Sequence, residues 1–494
     1  MDKNLYCINL KNSQLFNGYL HRILVLIAAI GFLFMGETSL AADPFESSPT
    51  SNVASCPANH KMYYLGSNPP TSTSAQPVMA LPLSWTAGNT SKIFTFADNK
   101  TFTIAFPILK DVNNSDGTVP FYGSNNGVTS NAINLVHNST RVQTDHTLDV
   151  SINRPVSKVG YKIQDLDSTT VRVNVGPWWD PRYEDRAPYI EQVDVSANNG
   201  QLTFNNIFHN INAQRNIVTA KEGQNCDTGE CTIDAAWGYK PANSVVTLLH
   251  NNAKRETSGS HATGYSDFYF CLAPPKIIVK KALSGNRVND TNTNPDQFEL
   301  SIKRGATVVN AVTTTGSGSA VTNNDNRNAI SIAENTSYTI TERVMNGTTL
   351  GEIANYNAAY TCTNATTGST TVMPTTAMTY DATNKTRSFT LANANYGDEI
   401  TCTITNGPKL YNFSGIVFDD NGGIANNRAD KENADITSST SAYSNNSNYF
   451  NGVFNTPPET GIAGSSVKLV NCTDTNTVYA NQSVVATGAT IGRY

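Results

Sequence analysis

The sequence predicts an all-β protein built from tandem β-sandwich domains, and two observations support this fold class. Short segments that alternate apolar and polar residues recur along the chain, which is the period of a half-buried strand. Charged residues make up only 15% of the chain, and Asn, Thr, Ser and Gly take their place. Thr favours strands, while Asn and Gly favour turns. At 494 residues the chain has room for about three or four domains.

The N-terminus predicts an export signal over residues 1–41. Basic residues end at Arg22, an apolar run covers residues 23–35, and Ser39-Leu-Ala41 forms a small-x-small cleavage site. The run is too short to cross a bilayer comfortably, so we expect no membrane span in the mature chain. An uncleaved anchor is the alternative. These features predict an exported protein, either secreted or held at a bacterial cell surface.

A polar linker over residues 42–56 precedes a predicted N-terminal β-sandwich, jelly-roll-like, over residues 57–274. Many short strand patterns alternate there with turn clusters. The net charge is only −5 and no Lys/Arg-rich patch occurs, which excludes nucleic acid as a partner. Trp178 and Trp179 lie in a charged loop of this domain. They predict either a contact with a sugar or protein partner, or packing in the core.

A second domain is predicted over residues 275–409, between Pro274-Pro275 and Gly407-Pro408. Three of its strand patterns end an inward-facing apolar row with a polar residue: Lys276-Ile-Ile-Val-Lys-Lys281, Ser337-Tyr-Thr-Ile-Thr-Glu342 and Ile400-Thr-Cys-Thr-Ile-Thr-Asn406. Burying a lysine, a glutamate and an asparagine is costly unless they contact one another. The pattern therefore predicts either a polar cluster or a reaction between these side chains.

These motifs resemble the prealbumin-like, collagen-adhesin B-type domains of bacterial surface adhesins and pilins, above all the variant repeated in large exported proteins of Gram-negative bacteria. Residues 410–494 are similar to the B-type domains of serine-aspartate-repeat adhesins, through Ser414-Gly-Ile-Val-Phe-Asp-Asp420 and the closing Gly-Arg-Tyr. We expect this third unit to be incomplete. The N-terminal domain looks like the region that precedes such repeats.

The first resemblance implies an intramolecular isopeptide bond between Lys281 and Asn406, assisted by Glu342. Apolar surroundings lower the pKa of a lysine and leave a neutral, nucleophilic amine. A protonated Glu342 would polarise the Asn406 carbonyl and relay protons while ammonia leaves. A hydrogen-bonded cluster that does not react is the alternative. Lys280 points to the other face and is the less suitable nucleophile.

Seven cysteines follow the predicted signal, which contains Cys7, and export allows them to oxidise. Cys362 and Cys402 both lie on apolar rows of the second domain, so we expect a disulfide that closes a loop of about 40 residues; two free thiols are the alternative. Two further pairs are expected, Cys226 with Cys231 in a small loop and Cys56 with Cys271 at the ends of the N-terminal domain. Cys472 is then left over.

Two acidic clusters are candidate calcium sites, because oxygen-rich loops suit a hard cation. Solvated turns are the favoured alternative for both, and we expect no other cofactor. The candidate ligands are Asp165 and Asp167, near Glu191 and Asp194 in the N-terminal domain, and Asp419 and Asp420 in the third unit.

The sequence as a whole predicts a bacterial cell-surface protein that acts in adhesion. The N-terminal domain would bind a protein or glycan on a host or neighbouring cell, and the later domains would form a stalk. A purely structural stalk or matrix component is the alternative. A secreted glycan-active enzyme is disfavoured, because no catalytic motif occurs and sequence alone places no carboxylate pair around a cleft.

Overall fold

A computed structural model describes residues 54–114, 118–125, 127–139, 141–254, 260–290, 293–323, 329–422, 447–448, 451–470, 472 and 475–494. The predicted export signal lies outside these residues. Within them, regular structure consists of β-strands and two short 3-10 turns, Ser196–Asn198 and Ile353–Asn355. No helix in these segments is long and apolar enough to cross a membrane. The chain divides into two compact units between Gly407 and Pro408.

The N-terminal domain contains seventeen strands. They are β1 (Lys61–Leu65), β2 (Val78–Leu81), β3 (Ser91–Thr95), β4 (Thr101–Ala105), β5 (Phe121–Asn125), β6 (Val128–His137), β7 (Gln143–Ile152), β8 (Lys158–Gln164), β9 (Val171–Asn174), β10 (Tyr183–Arg186), β11 (Glu191–Asp194), β12 (Gln201–Leu202), β13 (His209–Ile211), β14 (Ile217–Ala220), β15 (Ile233–Trp237), β16 (Val245–Asn252) and β17 (His261–Leu272).

Fifteen of these strands form a sandwich of two sheets. One sheet has the order β12-β15-β8-β17-β1-β2, with β6 also paired to β17 and β5 to β6. The other has the order β13-β14-β11-β16-β7-β4-β3. Side chains from both sheets fill a single apolar core, including Phe270 and Tyr63 from one and Phe102 and Leu148 from the other. Strands β9 and β10 pair only with each other and form a separate hairpin.

The second domain contains ten strands. They are β18 (Lys276–Leu283), β19 (Gln297–Arg304), β20 (Thr307–Thr313), β21 (Ile330–Ser331), β22 (Tyr338–Asn346), β23 (Thr349–Leu350), β24 (Tyr356–Asn364), β25 (Thr379–Asp381), β26 (Thr386–Leu391) and β27 (Glu399–Pro408).

Two sheets enclose the core of this domain. One has the order β21-β18-β27-β24, and the other has the order β20-β19-β22-β26-β25 with β23 added beside β22. Its core includes Ile277 and Val279 of β18 and Ile340 of β22. The first and last strands, β18 and β27, are parallel neighbours, with Lys281 opposite Ile404 and Leu283 opposite Asn406. Tandem β-sandwich architecture is confirmed in both domains.

The two domains of the first unit are joined by a buried ion pair. Arg154 of the N-terminal domain lies 3.1 Å from Asp398 of the second domain, and both side chains are almost completely buried. Arg154 also donates a hydrogen bond to the Gly368 carbonyl over 2.7 Å. The backbone continues the contact, because the Gly397 amide donates to the Ala273 carbonyl. The sandwich of β1–β17 and the sheets of β18–β27 therefore pack against each other within the first unit.

The second unit, from Pro408 onward, contains one hairpin in its described part. It consists of β28 (Ser466–Val470) and β29 (Val478–Ser483) in antiparallel register. Isolated bridges join Ile416 to Arg493 and Phe418 to Gly461.

Candidate functional site

Strand alternation brings Lys281, Glu342 and Asn406 to one place inside the second domain. The first lies on β18, the second on β22 of the facing sheet and the third on β27. Each follows buried apolar residues at alternate positions, so each side chain points into the core. Their exposed fractions are 1% for Lys281 and 0% for the other two. The three polar residues that end apolar rows in the sequence therefore share one buried site.

The Glu342 carboxylate connects the other two side chains. Its Oε1 lies 3.1 Å from the Lys281 Nζ, and the Asn406 Nδ2 donates a hydrogen bond to the same oxygen over 3.0 Å. Lys281 also donates to the backbone carbonyls of Ala282 and Ile404, at 3.0 and 3.2 Å. One carboxylate oxygen thus contacts both the amine and the amide nitrogen that an isopeptide reaction would use.

Burial lowers the pKa of Lys281 below its usual value of 10.5, and the nearby Glu342 carboxylate partly offsets this effect. The ring of Phe298 lies 4.6 Å from the Lys281 Nζ and adds an apolar wall. A lysine in such surroundings releases its proton more readily than one in water. That is the direction required of a nucleophilic amine.

One detail of the site differs from the expectation. A protonated Glu342 was expected to polarise the Asn406 carbonyl, but the structure places Glu342 Oε1 against the amide nitrogen instead. The Asn406 Oδ1 and the Glu342 Oε2 are both buried and have no hydrogen-bond partner. The carboxylate is therefore better placed to move a proton between the two nitrogens than to activate the carbonyl.

Comparison with known families identifies this domain. Residues 276–408 match a prealbumin-like fold domain. The matched segment begins with β18 and ends with β27, so it contains all three residues of the buried cluster. Comparisons with curated proteins and with solved structures give no significant match. The similarity of residues 410–494 to serine-aspartate-repeat adhesins stays a prediction.

Disulfide bonds join six cysteines of the first unit. Cys362 of β24 is bonded to Cys402 of β27, inside the prealbumin-like domain. The other two bonds lie in the N-terminal domain and join Cys56 to Cys271 and Cys226 to Cys231. Cys472, in the second unit, is exposed and free in the described structure.

The carboxylates predicted as calcium ligands mostly accept hydrogen bonds from the protein itself. Asp167 accepts from the Tyr189 hydroxyl and the Cys226 amide, and Asp420 accepts from the Asn451 and Gly452 amides. Asp419 accepts from the Asn421 side chain. Asp165 is buried, with its Oδ1 unpaired. Over the described residues no three His, Cys, Asp or Glu side chains are grouped to hold a metal, and calcium binding stays a prediction.

Trp178 and Trp179 are exposed rather than packed in the core. Their exposed fractions are 84% and 71%, and they lie at the tip of the β9–β10 hairpin. Their rings are nearly perpendicular, with centroids 5.7 Å apart. The alternative of core packing is therefore wrong for both residues.

Sequence reasoning missed a cluster of four histidines inside the N-terminal sandwich. His146 lies opposite His250 on one sheet, and His137 lies opposite His261 on the other. The His146 and His250 rings stack side by side on their sheet, with centroids 4.4 Å apart, and the His137 ring stacks on His146 across the interior at 4.9 Å. All four are buried. In the sequence they fall into two pairs, His137 with His146 and His250 with His261, that lie about 100 residues apart and form no motif.

A directional chain of hydrogen bonds runs through two of these histidines. The His137 Nδ1 lies 2.7 Å from the Lys110 carbonyl, which can only accept, so this nitrogen carries the proton. The His137 Nε2 must then accept from the His146 Nδ1 at 2.9 Å. The His146 Nε2 in turn accepts from the Tyr265 hydroxyl at 2.7 Å. This direction requires neutral rings, and burial favours them: it lowers the pKa of His137 to about 3 and that of His146 well below its usual value.

Carboxylates border this cluster. The His261 Nε2 lies 3.1 Å from Asp145, and the His250 Nε2 lies 3.3 Å from Glu191. Glu191 also accepts from the Thr263 hydroxyl, and burial raises its pKa well above the usual value. The sequence did contain a signal, because His146 and His250 each continue an inward apolar row, with Leu148 and Leu248 respectively.

Proposed function

We propose that this protein is an exported bacterial surface protein that acts in adhesion, with its prealbumin-like domain serving as a durable stalk module. A prealbumin-like fold domain is compatible with such a stalk and is typically structural rather than enzymatic. The three disulfides suit an oxidising, extracellular environment. The single observation that carries the proposal is the buried Lys281–Glu342–Asn406 cluster between the strands that begin and end the domain.

The cluster supports an autocatalytic cross-link. Glu342 first accepts a proton from the Lys281 ammonium, and the neutral amine then attacks the Asn406 Cγ to form a new C–N bond. Glu342 passes its proton to Nδ2 and takes one from the new amide nitrogen, the bond from Cγ to Nδ2 breaks, and one ammonia leaves. Its Oε1 already contacts both nitrogens. Atoms and charge balance without an external reagent.

Such a bond would shield the domain from mechanical extension. The cross-link joins residue 281 on the first strand to residue 406 on the last strand. A pulling force that enters at Lys276 and leaves at Pro408 would pass through this bond. The intervening residues 282–405 would then carry little of the load, which is what a stalk between a cell and its partner requires.

The chemistry is tested by the intact mass of the purified, reduced chain. We expect a mass one ammonia below that of the sequence, and a proteolytic peptide that contains both Lys281 and Asn406. Glu342→Ala should retain the ammonia because the proton relay is lost. Lys280→Ala is the matched control and should still lose ammonia, since Lys280 points to the other face. A wild-type chain of full mass would refute the cross-link.

Adhesion itself is tested separately, with purified chain bound to surfaces coated with host or neighbouring bacterial cells. Saturable retention supports the adhesive role. Retention no greater than that of an unrelated exported protein would favour the alternative, a structural stalk or matrix component without its own ligand.

A further inference from the structure

The β9–β10 hairpin exposes two indole rings to solvent, which carries a free-energy cost for the unbound protein. Trp178 and Trp179 are 84% and 71% exposed. The other two tryptophans, Trp85 and Trp237, are buried in the sandwich, at 7% and 1%. Tryptophan has a large apolar surface, and its exposure is typical of binding hot spots. The hairpin therefore differs from the rest of this domain.

The loop that carries the tryptophans is held in one shape. The Asn174 side chain accepts hydrogen bonds from the amides of Gly176 and Arg182, at 3.0 and 3.1 Å. The Val175 amide donates to the Arg182 carbonyl, and the Asp180 amide donates to the Pro177 carbonyl. A Cβ on Gly176 would lie 2.2 Å from the Asp180 carbonyl oxygen, so only glycine fits there. The rings are presented with little conformational entropy left to lose on binding.

The charges around the rings are balanced, and four of the six charged side chains form two ion pairs. Residues 171–186 contain three arginines and three acidic residues. Arg182 contacts Asp180 and Arg186 contacts Glu184, both at 2.9 Å. Arg172 lies over the ring of Tyr183. With no net charge, the hairpin has no electrostatic attraction for an anionic surface or an anionic ligand.

The same charges argue against an apolar partner. Asp180 and Arg182 lie directly beside the indoles, so a lipid bilayer or an apolar protein groove would have to desolvate them. A carbohydrate has apolar C–H faces that stack on indoles and hydroxyl groups that hydrogen-bond to ionised side chains. Its hydroxyl groups would replace the water around Asp180 and Arg182 without leaving these charges unsolvated. The nearly perpendicular rings offer two stacking faces in different directions.

We infer that Trp178 and Trp179 form a binding site for a neutral oligosaccharide. The indoles stack on the faces of two sugar units, and Asp180 and Arg182 accept from and donate to their hydroxyl groups. This inference rests on the proposed adhesive function and assigns its ligand class.

The test applies the purified chain to an array of neutral, sialylated and sulfated oligosaccharides. We expect retention on neutral glycans. In Trp178→Ala/Trp179→Ala the affinity should fall about tenfold or more, since each lost stacking contact costs a few-fold to tenfold. Trp178→Phe/Trp179→Phe should lose less. The control is Tyr239→Ala, an exposed aromatic side chain (67%) of the same domain outside the hairpin, which should bind like wild type.

A spectroscopic readout accompanies the array. The buried Trp85 and Trp237 should keep their emission in the double alanine variant, which shows that the sandwich has folded. In the wild type, a bound neutral glycan should shift the emission of the exposed pair to shorter wavelength. No shift with a glycan that is retained on the array would overturn the stacking site.

Two other outcomes would overturn the inference: retention only on anionic glycans, or unchanged retention of the double alanine variant. Cell adhesion separates the two proposals. If the double variant keeps wild-type retention on neutral glycans and adheres to cells as well as wild type, the oligosaccharide site is wrong and the adhesive function stands. If wild type binds neutral glycans on the array but no cells, the site stands and the adhesive function fails.

Discussion

In the prealbumin-like domain a buried lysine and a buried asparagine meet at one buried carboxylate, whereas in the N-terminal sandwich four imidazoles stack between two sheets. Lys281 faces the Glu342 carboxylate at 3.1 Å, and from this contact we propose a reaction with Asn406. His137 and His146 instead remain neutral and pass hydrogen bonds from Tyr265 to a backbone carbonyl. Charge compensation suits a site that forms a bond. Neutral histidines avoid the cost of burying charge in the N-terminal sandwich. Their lowered pKa values make the stability of that domain depend on pH.

The largest expected effect comes from breaking the charge compensation. Lys281→Met leaves Glu342 buried without its cation and removes any cross-link, so we expect a loss of at least about 3–5 kcal/mol in the free energy of unfolding of the prealbumin-like domain. Hydrogen exchange of peptides from residues 276–408 measures this in the full chain. Lys280→Met should change stability by less than about 0.5 kcal/mol. Equal losses in the two variants would contradict the special role of Lys281.

The next effect concerns the ion pair that joins the two compared domains. Arg154→Ala leaves Asp398 buried, but Asp398 still accepts from the Ser369 and Thr371 hydroxyls and the Asn395 amide. We therefore expect a loss of about 2–3 kcal/mol, below the full cost of an orphaned buried charge. Hydrogen exchange should rise on both sides of the contact.

The control for this variant is Lys385→Ala, which removes a half-exposed ion pair with Glu352. Exposed pairs contribute little, so stability should stay close to wild type. Exchange that rises in only one domain after Arg154→Ala would show that the domains do not depend on each other through this pair.

The remaining effect is a dependence on pH that separates the two clusters. Burial lowers the pKa of His137 and of His250 from 6.5 to about 3, and that of His146 well below 6.5. As pH falls through 6.5 the unfolded chain takes up protons before the folded chain does. The free energy of unfolding of the N-terminal domain should therefore decrease between pH 6.5 and about 3. His146→Phe removes one such group.

The acid-induced loss of stability should therefore be smaller in His146→Phe than in wild type, measured by urea unfolding at several pH values. The variants are compared by the slope of the free energy of unfolding against pH, because buried carboxylates have the opposite effect to the histidines. The pKa of Asp167 is raised to about 6, so its contribution to stability falls as pH rises. His60→Phe, outside the cluster, should leave the slope unchanged. Identical slopes in all three proteins would mean that the stacked histidines do not control acid stability.

Alternation along single strands allowed part of this structure to be predicted. Lys281, Glu342 and Asn406 each end an apolar row, and the strands that carry them do converge on one site. The same local pattern holds for His146 and His250, but scattered histidines suggested no partners for one another. An alternating row of residues shows which face of its strand a side chain occupies. The residues that it contacts depend on the pairing of strands that are far apart in sequence.

Residue types and their periods therefore determined the all-β class and the inward direction of the buried polar groups. Only the tertiary structure decided which groups meet. Register placed His137 opposite His261, sheet packing stacked them on His146 and His250, and domain docking paired Arg154 with Asp398. The tertiary structure also leaves Trp178 and Trp179 exposed to solvent. These outcomes depend on long-range pairing, because the free energy of a contact exists only once distant segments have been brought together.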